Sequence, residues 1–185
     1  MNIFHLDPDP SVCARLHCDK HVGKMLVENV QMLSTALVLS GGEAPWKPAF
    51  ANHPMNRWVR DSAGNFRWTW DLSDALGHEY VHRFGKGHRA HDALRTFDRD
   101  ALAPLVGEGQ KTPPPLCMDD HCKIGVDPYE AYRTFYATEK ARFATWTKRP
   151  VPDFMRDSFI PMSAEEVAAA DRYREDGGAP DGRPA

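Results

Sequence analysis

The sequence lacks an apolar run long enough to cross a membrane, and it lacks the basic, apolar leader of a secreted protein. Its four cysteines are too few for a disulfide scaffold in a chain of 185 residues. We therefore expect a cytoplasmic protein with reduced thiols and no membrane partner. The formal net charge of -3 excludes a generally basic nucleic-acid coat, but it leaves room for a local basic cleft.

The sequence also lacks the glycine-rich loops that bind nucleotide phosphates and the nucleophile elbow of α/β-hydrolases. The short run Gly85-Lys86-Gly87 is too brief to form a phosphate loop. A function must therefore be argued from individual side chains and their spacing.

Hydrophobic periodicity predicts a mainly α protein, built as a single compact multi-helix domain. Apolar residues from Val22 to Leu37 recur every three or four positions, which predicts a helix over residues 19–39 with Asp19 as its N-cap. Residues 2–6 are short and apolar, and they form either a strand or a buried extended arm.

Four more helices are expected. Two span residues 54–64 and 65–84, and they join if the helix continues through Gly64. A third spans residues 91–102 and stops before Pro104, where the missing N–H disfavours helix. A fourth begins after the N-cap Asp127 and runs to about residue 146.

The chain divides into a main helical domain at residues 1–154, a C-terminal appendage at 155–176 and a disordered tail at 177–185. A capping box at residues 163–166 predicts one helix in the appendage. The tail is rich in glycine and proline and has little to bury.

The stretch from His17 to Lys24 carries an unusual combination of side chains. On a helix, one polar stripe would comprise His21, Lys24, Glu28, Gln31 and Thr35. The stripe either faces water, as most polar helix faces do, or lines a cleft. In a cleft, neighbouring cations and burial would lower the pKa values of imidazoles and amines. The candidate catalytic residues are His17, Asp19, Lys20, His21, Lys24 and Glu28.

Proton transfer is one role that such a cluster could perform. A lysine there could act as an uncharged amine nucleophile, or it could stay charged and bind phosphate. His17 and His21 also have the spacing of two metal ligands on one helix face, and Cys117-x3-His121-Cys122 is a second candidate. Because lysines repel a cation and the cysteine spacing is not that of a zinc knuckle, we predict no metal site and no cofactor.

Two later segments carry further basic and aromatic groups. Arg83, Lys86 and His88 crowd a glycine-rich helix end, where cations suit the helix dipole and could also hold an anion. The candidate substrate-binding residues are Asn65, Glu79, Arg83, Lys86, His88, Tyr132, Arg133, Tyr136 and Lys140. The simpler interpretations are an i, i+4 ion pair for Glu79 and Arg83 and a core-facing stripe for the tyrosines.

Several of these motifs resemble a family of small proteins from phages and bacteria. The similar segments are residues 1–4, His17-Cys18-Asp19-Lys20-His21 with Lys24-Met25, residues 33–36, His53-Pro54, Glu79-Tyr80 with Arg83 and Gly85-Lys86, and residues 127–133. The resemblance covers residues 1–154, and Gly23 stands where we expect an aliphatic residue. It implies no catalytic assignment, but it suggests a phage-related setting in which nucleotide or DNA metabolism is common.

Together these patterns favour an enzyme that acts on a phosphate-bearing substrate, either a nucleotide or a nucleobase in DNA. Glycosidic-bond cleavage and base modification are the reactions to test first. The alternatives are a non-catalytic module that binds nucleic acid or a host protein, and a metal-dependent hydrolase. All three depend on the stripe turning inward to meet Arg83 and Lys140.

Overall fold

A computed structural model describes residues 1–156 of the chain. Over that range the protein is helical and contains no strand, and its buried apolar side chains form one core, which confirms a mainly α, compact domain. The helices are α1 (Pro10–Leu16), α2 (Asp19–Leu39), α3 (Pro54–Val59), α4 (Ala63–Phe84), α5 (Arg89–Leu94), α6 (Arg99–Val106) and α7 (Pro128–Glu139). Single 3-10 turns occupy Asp120–Cys122, Ala141–Phe143 and Asp153–Met155.

The central helix α2 has the bounds that its apolar period predicts. Val22, Leu26 and Leu33 are fully buried on its inner face. Cys18, not Asp19, is the N-cap, and Asp19 is the first helical residue. The helix ends where Gly41 adopts a positive φ of 83°, a conformation that glycine adopts without strain.

The two long helices α2 and α4 pack against each other and form the centre of the domain. Helix α1 and helix α6 pack against α4, and α5 contacts both long helices. Helix α7 packs against the neighbouring 3-10 turns and contributes Tyr132 and Tyr136, which are fully buried, to the core. The core-facing interpretation of these tyrosines is therefore correct for both residues.

Residues 2–6 form an extended arm that is buried in the core, and within the described range they pair with no strand. Ile3 and Leu6 have no exposed surface. The His5 ring stacks on Trp68 with 4.3 Å between ring centroids, and both of its nitrogens lack a hydrogen-bond partner among the described residues. Burial is the largest cause of a His5 pKa well below 6.5.

Three predicted helix boundaries are wrong. Residues 91–102 do not form one helix, because the chain breaks after Leu94 and Asp98 caps the new helix α6. Pro104 lies inside α6, where its missing N–H removes one bond from a helix that ends two residues later. Helix α7 ends at Glu139 and not near residue 146.

Helices α3 and α4 are separate, because Ser62 caps α4 by accepting from Asn65 N–H.

The predicted appendage at residues 155–176 lies almost entirely outside the described residues, and the tail at 177–185 lies wholly outside them. Both assignments stay predictions. Within residues 1–156, no helix combines the length and the apolar character needed to span a bilayer.

Candidate functional site

A buried ion-pair network ties the start of α2 to the end of α4. The Arg83 guanidinium donates to Asp19 Oδ1 at 3.0 Å and to Glu79 Oε1 at 2.6 Å. Arg149 binds both oxygens of the Glu79 carboxylate, at 2.9 and 2.8 Å. Burial opposes ionisation of Glu79, but the hydrogen bonds from Arg149 and Arg83 outweigh it and hold the Glu79 pKa below its ordinary value.

The same groups also hold the backbone where α1 gives way to α2. Arg83 donates to the carbonyls of His17 at 2.9 Å and Arg15 at 3.0 Å. Asp19 accepts from the backbone N–H of Thr147 at 3.0 Å and from the hydroxyls of Thr145 and Thr147. The geometry therefore gives Asp19, Glu79 and Arg83 structural roles, although the sequence suggested catalysis or substrate binding.

His17 is fully buried and also has a structural position. It is the C-cap of α1, so it does not share a helix with His21 as the metal hypothesis required. Its Nδ1 lies 2.7 Å from the Cys13 carbonyl, to which it donates, and its Nε2 has no partner. Burial lowers the pKa of His17 from 6.5 to about 4, and the positive charge of Arg83 adds to the decrease.

His21 lies at the edge of the core, with 4% of its surface exposed. Its ring packs between Phe4, at 4.8 Å between ring centroids, and Phe143, at 5.5 Å. Its Nδ1 lies 2.7 Å from the Tyr136 hydroxyl. Burial lowers the pKa of His21 to about 2, and positive charge on His17, Lys140, Lys24 and Lys20 lowers it further. The imidazole is therefore neutral at physiological pH.

The hydrogen bonds of Tyr136 decide which nitrogen of His21 carries the proton. The Tyr136 hydroxyl accepts from Cys18 N–H at 2.8 Å, lies 2.7 Å from His21 Nδ1 and also contacts the Cys18 side chain. Because an imidazole nitrogen is a stronger acceptor than a thiol, we infer that the phenol donates its proton to Nδ1. The neutral ring then carries its own proton on Nε2, which has no partner among residues 1–156 and, unlike His17 Nε2, is not sealed from solvent.

Three lysines, Lys20, Lys24 and Lys140, lower the pKa of this imidazole by their charge. We call Lys20, His21, Lys24, Lys140 and Arg142 the basic cluster. The Lys20 ammonium lies 4.9 Å from the centroid of the Phe143 ring, and the Arg142 guanidinium lies 5.9 Å from the same centroid. Of the four cations in the basic cluster, only Lys24 has a carboxylate partner among the described residues. Its ammonium lies 3.8 Å from the Glu28 carboxylate.

Lys140 is the partly buried lysine of the basic cluster. Its ammonium lies 4.4 Å from the centroid of the Phe135 ring. Partial burial is the largest cause of its lowered pKa, and the charges of Arg142 and Lys24 lower it further against the opposing effect of Glu139. The lowered pKa of Lys140 favours loss of its proton, which makes this amine a candidate nucleophile.

The remaining residues of the polar stripe do not belong to the basic cluster, and their contacts stabilise the fold. Glu28 accepts from the backbone N–H of Asn2 at 2.7 Å and so fixes the buried arm. Gln31 donates to the Lys47 carbonyl, and Thr35 accepts from the Ala49 N–H. The basic cluster therefore takes its α2 residues from the first two turns of that helix.

The other predicted binding residues do not join the basic cluster by any hydrogen bond or ion pair. Asn65 is buried and accepts from Thr112 N–H at 2.8 Å, and Tyr132 donates to the Pro115 carbonyl at 2.7 Å. Arg133 binds the Leu6 carbonyl at 2.7 Å and the Asp7 carboxylate. His88 caps α5 and packs against Tyr80. Lys86 is exposed in the turn after α4.

Metal-ligating side chains come together elsewhere. Within residues 1–156 two groups have ligand atoms within 4.8 Å of one another: Asp74 with His78 and His91, and His121 with Cys122 and Glu139. Neither contains His17 or His21. The sequence contains one indication of metal ligands that we did not predict from. It is His78-Glu79-Tyr80-Val81-His82, whose spacing matches the HExxH motif of zinc proteases.

Comparison with known proteins gives no match to a family model, a curated protein or a solved structure. The resemblance to a family of phage and bacterial proteins therefore stays a prediction from the motifs.

Removing the Arg83 charge should destabilise the protein strongly. In Arg83→Met the carboxylates of Asp19 and Glu79 lose a buried partner, so we expect the free energy of unfolding to fall by about 3–5 kcal/mol. Urea denaturation measures the change. Arg67→Met is the matched control: Arg67 pairs with Asp100 on the surface, and its loss should cost less than about 1 kcal/mol. Equal losses would contradict a structural role for Arg83.

The lowered pKa of His21 predicts a pH dependence of stability. Its pKa is about 2 in the folded protein, against an ordinary value of 6.5, so the unfolded chain takes up the additional proton as the pH falls below 6.5. The free energy of unfolding should therefore decrease towards acid, by up to about 1.4 kcal/mol per pH unit for each such histidine.

The test compares wild type with His21→Gln by urea denaturation between about pH 7 and pH 4.5. We expect a flatter decrease in the variant, because His17 and His5 still contribute but His21 does not. Identical slopes for the two proteins would mean that His21 is not held neutral.

Proposed function

We propose that this protein is an enzyme that binds a phosphate-bearing substrate at the basic cluster, either a nucleotide or a nucleobase within DNA. One observation carries the proposal: a neutral imidazole, aligned by Tyr136, presents Nε2–H in a cluster that contains four cations. Three of those cations have no carboxylate partner within the described range. Such a site attracts an anion and offers it both charge and a directed hydrogen bond.

Aromatic rings beneath the cations support a nucleic-acid component over a bare anion. Phe143 and Phe135 are each half-buried and each lie under an amine of the cluster. A nucleobase can stack on such a ring while lysine or arginine contacts the phosphate. Because the protein is acidic overall, this attraction is local to the cluster.

The protonation states divide the roles within the cluster. His21 donates from Nε2 to an anionic oxygen and does not act as a general acid near neutral pH, since its pKa is about 2. Lys20, Lys24 and Arg142 supply positive charge. Lys140, with its lowered pKa, provides the amine that abstracts a proton or attacks carbon.

Glycosidic-bond cleavage is the reaction that best uses these groups. The Lys140 nitrogen would bond to C1′ of the sugar as the bond from C1′ to the base breaks. The base would leave with the bonding electrons and take up a proton. Loss of the amine proton and opening of the sugar ring would then leave an imine between Lys140 and C1′.

Binding at the basic cluster should depend on the phosphate group of the substrate. We expect a nucleoside 5′-monophosphate and short single-stranded DNA to bind in isothermal titration calorimetry, and the corresponding nucleoside to bind far more weakly. Arg142→Ala should weaken DNA binding and reduce the dependence of log K on log salt by about 0.7 for the lost phosphate contact. Arg95→Ala, at the exposed arginine that directly follows α5, is the control and should change neither. Equal binding of nucleoside and nucleotide would overturn the proposal.

A covalent trap tests the role of Lys140. With DNA that contains an abasic site, the amine should add to the sugar aldehyde with loss of water, and borohydride should reduce the imine to a stable cross-link. Lys140→Arg keeps the charge and removes the nucleophile, so we expect DNA binding to persist and the cross-link to disappear.

Lys86→Arg is the matched control for that trap, because Lys86 is exposed in the turn after α4, and it should cross-link like wild type. Undiminished cross-linking by Lys140→Arg would exclude Lys140 as the nucleophile. A protein that binds DNA, forms no cross-link and turns over no base would instead be the non-catalytic binding module.

A further inference from the structure

A second polar feature lies on α4, away from the basic cluster. A cavity of about 580 Å³ opens between α1 and α4, and Asp74, His78, Glu79 and His82 line it. The proposed function uses none of these residues, and Glu79 belongs to the ion-pair network.

Two imidazoles converge on one carboxylate at the edge of this cavity. His91 Nε2 lies 2.8 Å from Asp74 Oδ1, and His78 Nε2 lies 3.5 Å from Asp74 Oδ2. The centroids of the two imidazole rings are 5.2 Å apart. Asp74 and His78 are one helical turn apart on α4, and His91 comes from α5, so two helices supply the three groups.

His91 is held in this position by its packing. The ring lies flat against α4 at Gly77, where a Cβ atom would be only 2.2 Å from His91 Cγ. His91 is 7% exposed and Asp74 31%, whereas His78 is 69% exposed on the open side. Two of the three groups are therefore fixed, and the third can move to close on an ion.

We propose that Asp74, His78 and His91 bind a divalent transition metal, with Zn²⁺ the best match. Both histidines direct Nε2 to the Asp74 carboxylate, His91 to Oδ1 and His78 to Oδ2, and each Nε2 needs a proton to bond to the carboxylate in the metal-free protein. A cation can replace those protons with three bonds of about 2.0–2.2 Å. Three protein ligands leave a fourth position for water or a small anion, and the adjoining cavity has room for it.

The HExxH spacing does not describe this site. In a zinc protease the glutamate of that motif is a free general base, but both oxygens of Glu79 are bound by arginines here. His82 belongs to neither of the two ligand groups in the described residues. The ligands are instead His78, one turn back at Asp74, and His91 from the next helix.

Metal titration tests the site. Chelator-treated full-length protein is titrated with Zn²⁺ by calorimetry and with Co²⁺ by visible absorption. His121→Asn is the background, because it removes the exposed imidazole of the second ligand group. We expect one ion per chain, and for Co²⁺ the visible bands of a low-coordinate site. Absence of binding at micromolar metal would overturn the proposal.

Two matched variants identify the ligands in that background. His78→Asn should weaken binding at least about tenfold, since the loss of even an outer partner of a metal ligand costs 10–100-fold. His82→Asn replaces an exposed histidine that lines the same cavity and should leave the affinity unchanged. If both variants weakened metal binding equally, the ligands would be a His78 and His82 pair. If His78→Asn did not weaken it, the metal would bind elsewhere. Either result overturns the assignment.

Discussion

The Arg83 guanidinium is the interaction on which the rest of this structure depends. It joins two carboxylates, Asp19 and Glu79, to two carbonyls at the point where α1 passes into α2. Each of its three nitrogens donates in a buried setting, so loss of Arg83 would leave the buried Asp19 carboxylate without its charged partner. The network thereby sets the start of α2 relative to α4, and with it the direction in which the first turn of α2 presents its side chains.

The basic cluster follows from that orientation. With Cys18 and Asp19 held in place, the His21 ring contacts Tyr136 from α7. The Tyr136 hydroxyl then determines which tautomer the imidazole of His21 adopts. Burial, and after it the charge of the neighbouring cations, keeps the ring neutral, so that it serves as a hydrogen-bond donor. The positive charge of the site then resides on amines and a guanidinium around the ring, an arrangement suited to holding an anion.

Helix α4 connects the two candidate sites. Its C-terminal end supplies Arg83 to the network beside the basic cluster, while Asp74 and His78 face the cavity on the side of α1. Glu79 lies between them and is bound by two arginines, so the network separates the cationic surface from the metal-ligating one. One rigid helix can thus place two chemically different sites on one small domain.

Local sequence determined the helices and much of their extent. The apolar period of α2 predicts residues 19–39, and Asp127-Pro128 marks the start of α7, because both signals act within a turn or two of the chain. The helix break after Leu94 was not predicted, since a cap at Asp98 competes there with continued periodicity.

Tertiary structure decided most roles of the polar residues. A carboxylate at position 19 or an arginine at position 83 has the same propensities whether it contacts substrate or another side chain. The i, i+4 pair of Glu79 and Arg83 is local, but the bonds of Asp19 to Arg83 and Thr147 join residues more than sixty positions apart, and such contacts arise only when the helices pack. The same holds for Asp74 and His91: the sequence shows the ligand types, but only the packing of α5 on Gly77 brings them to one point.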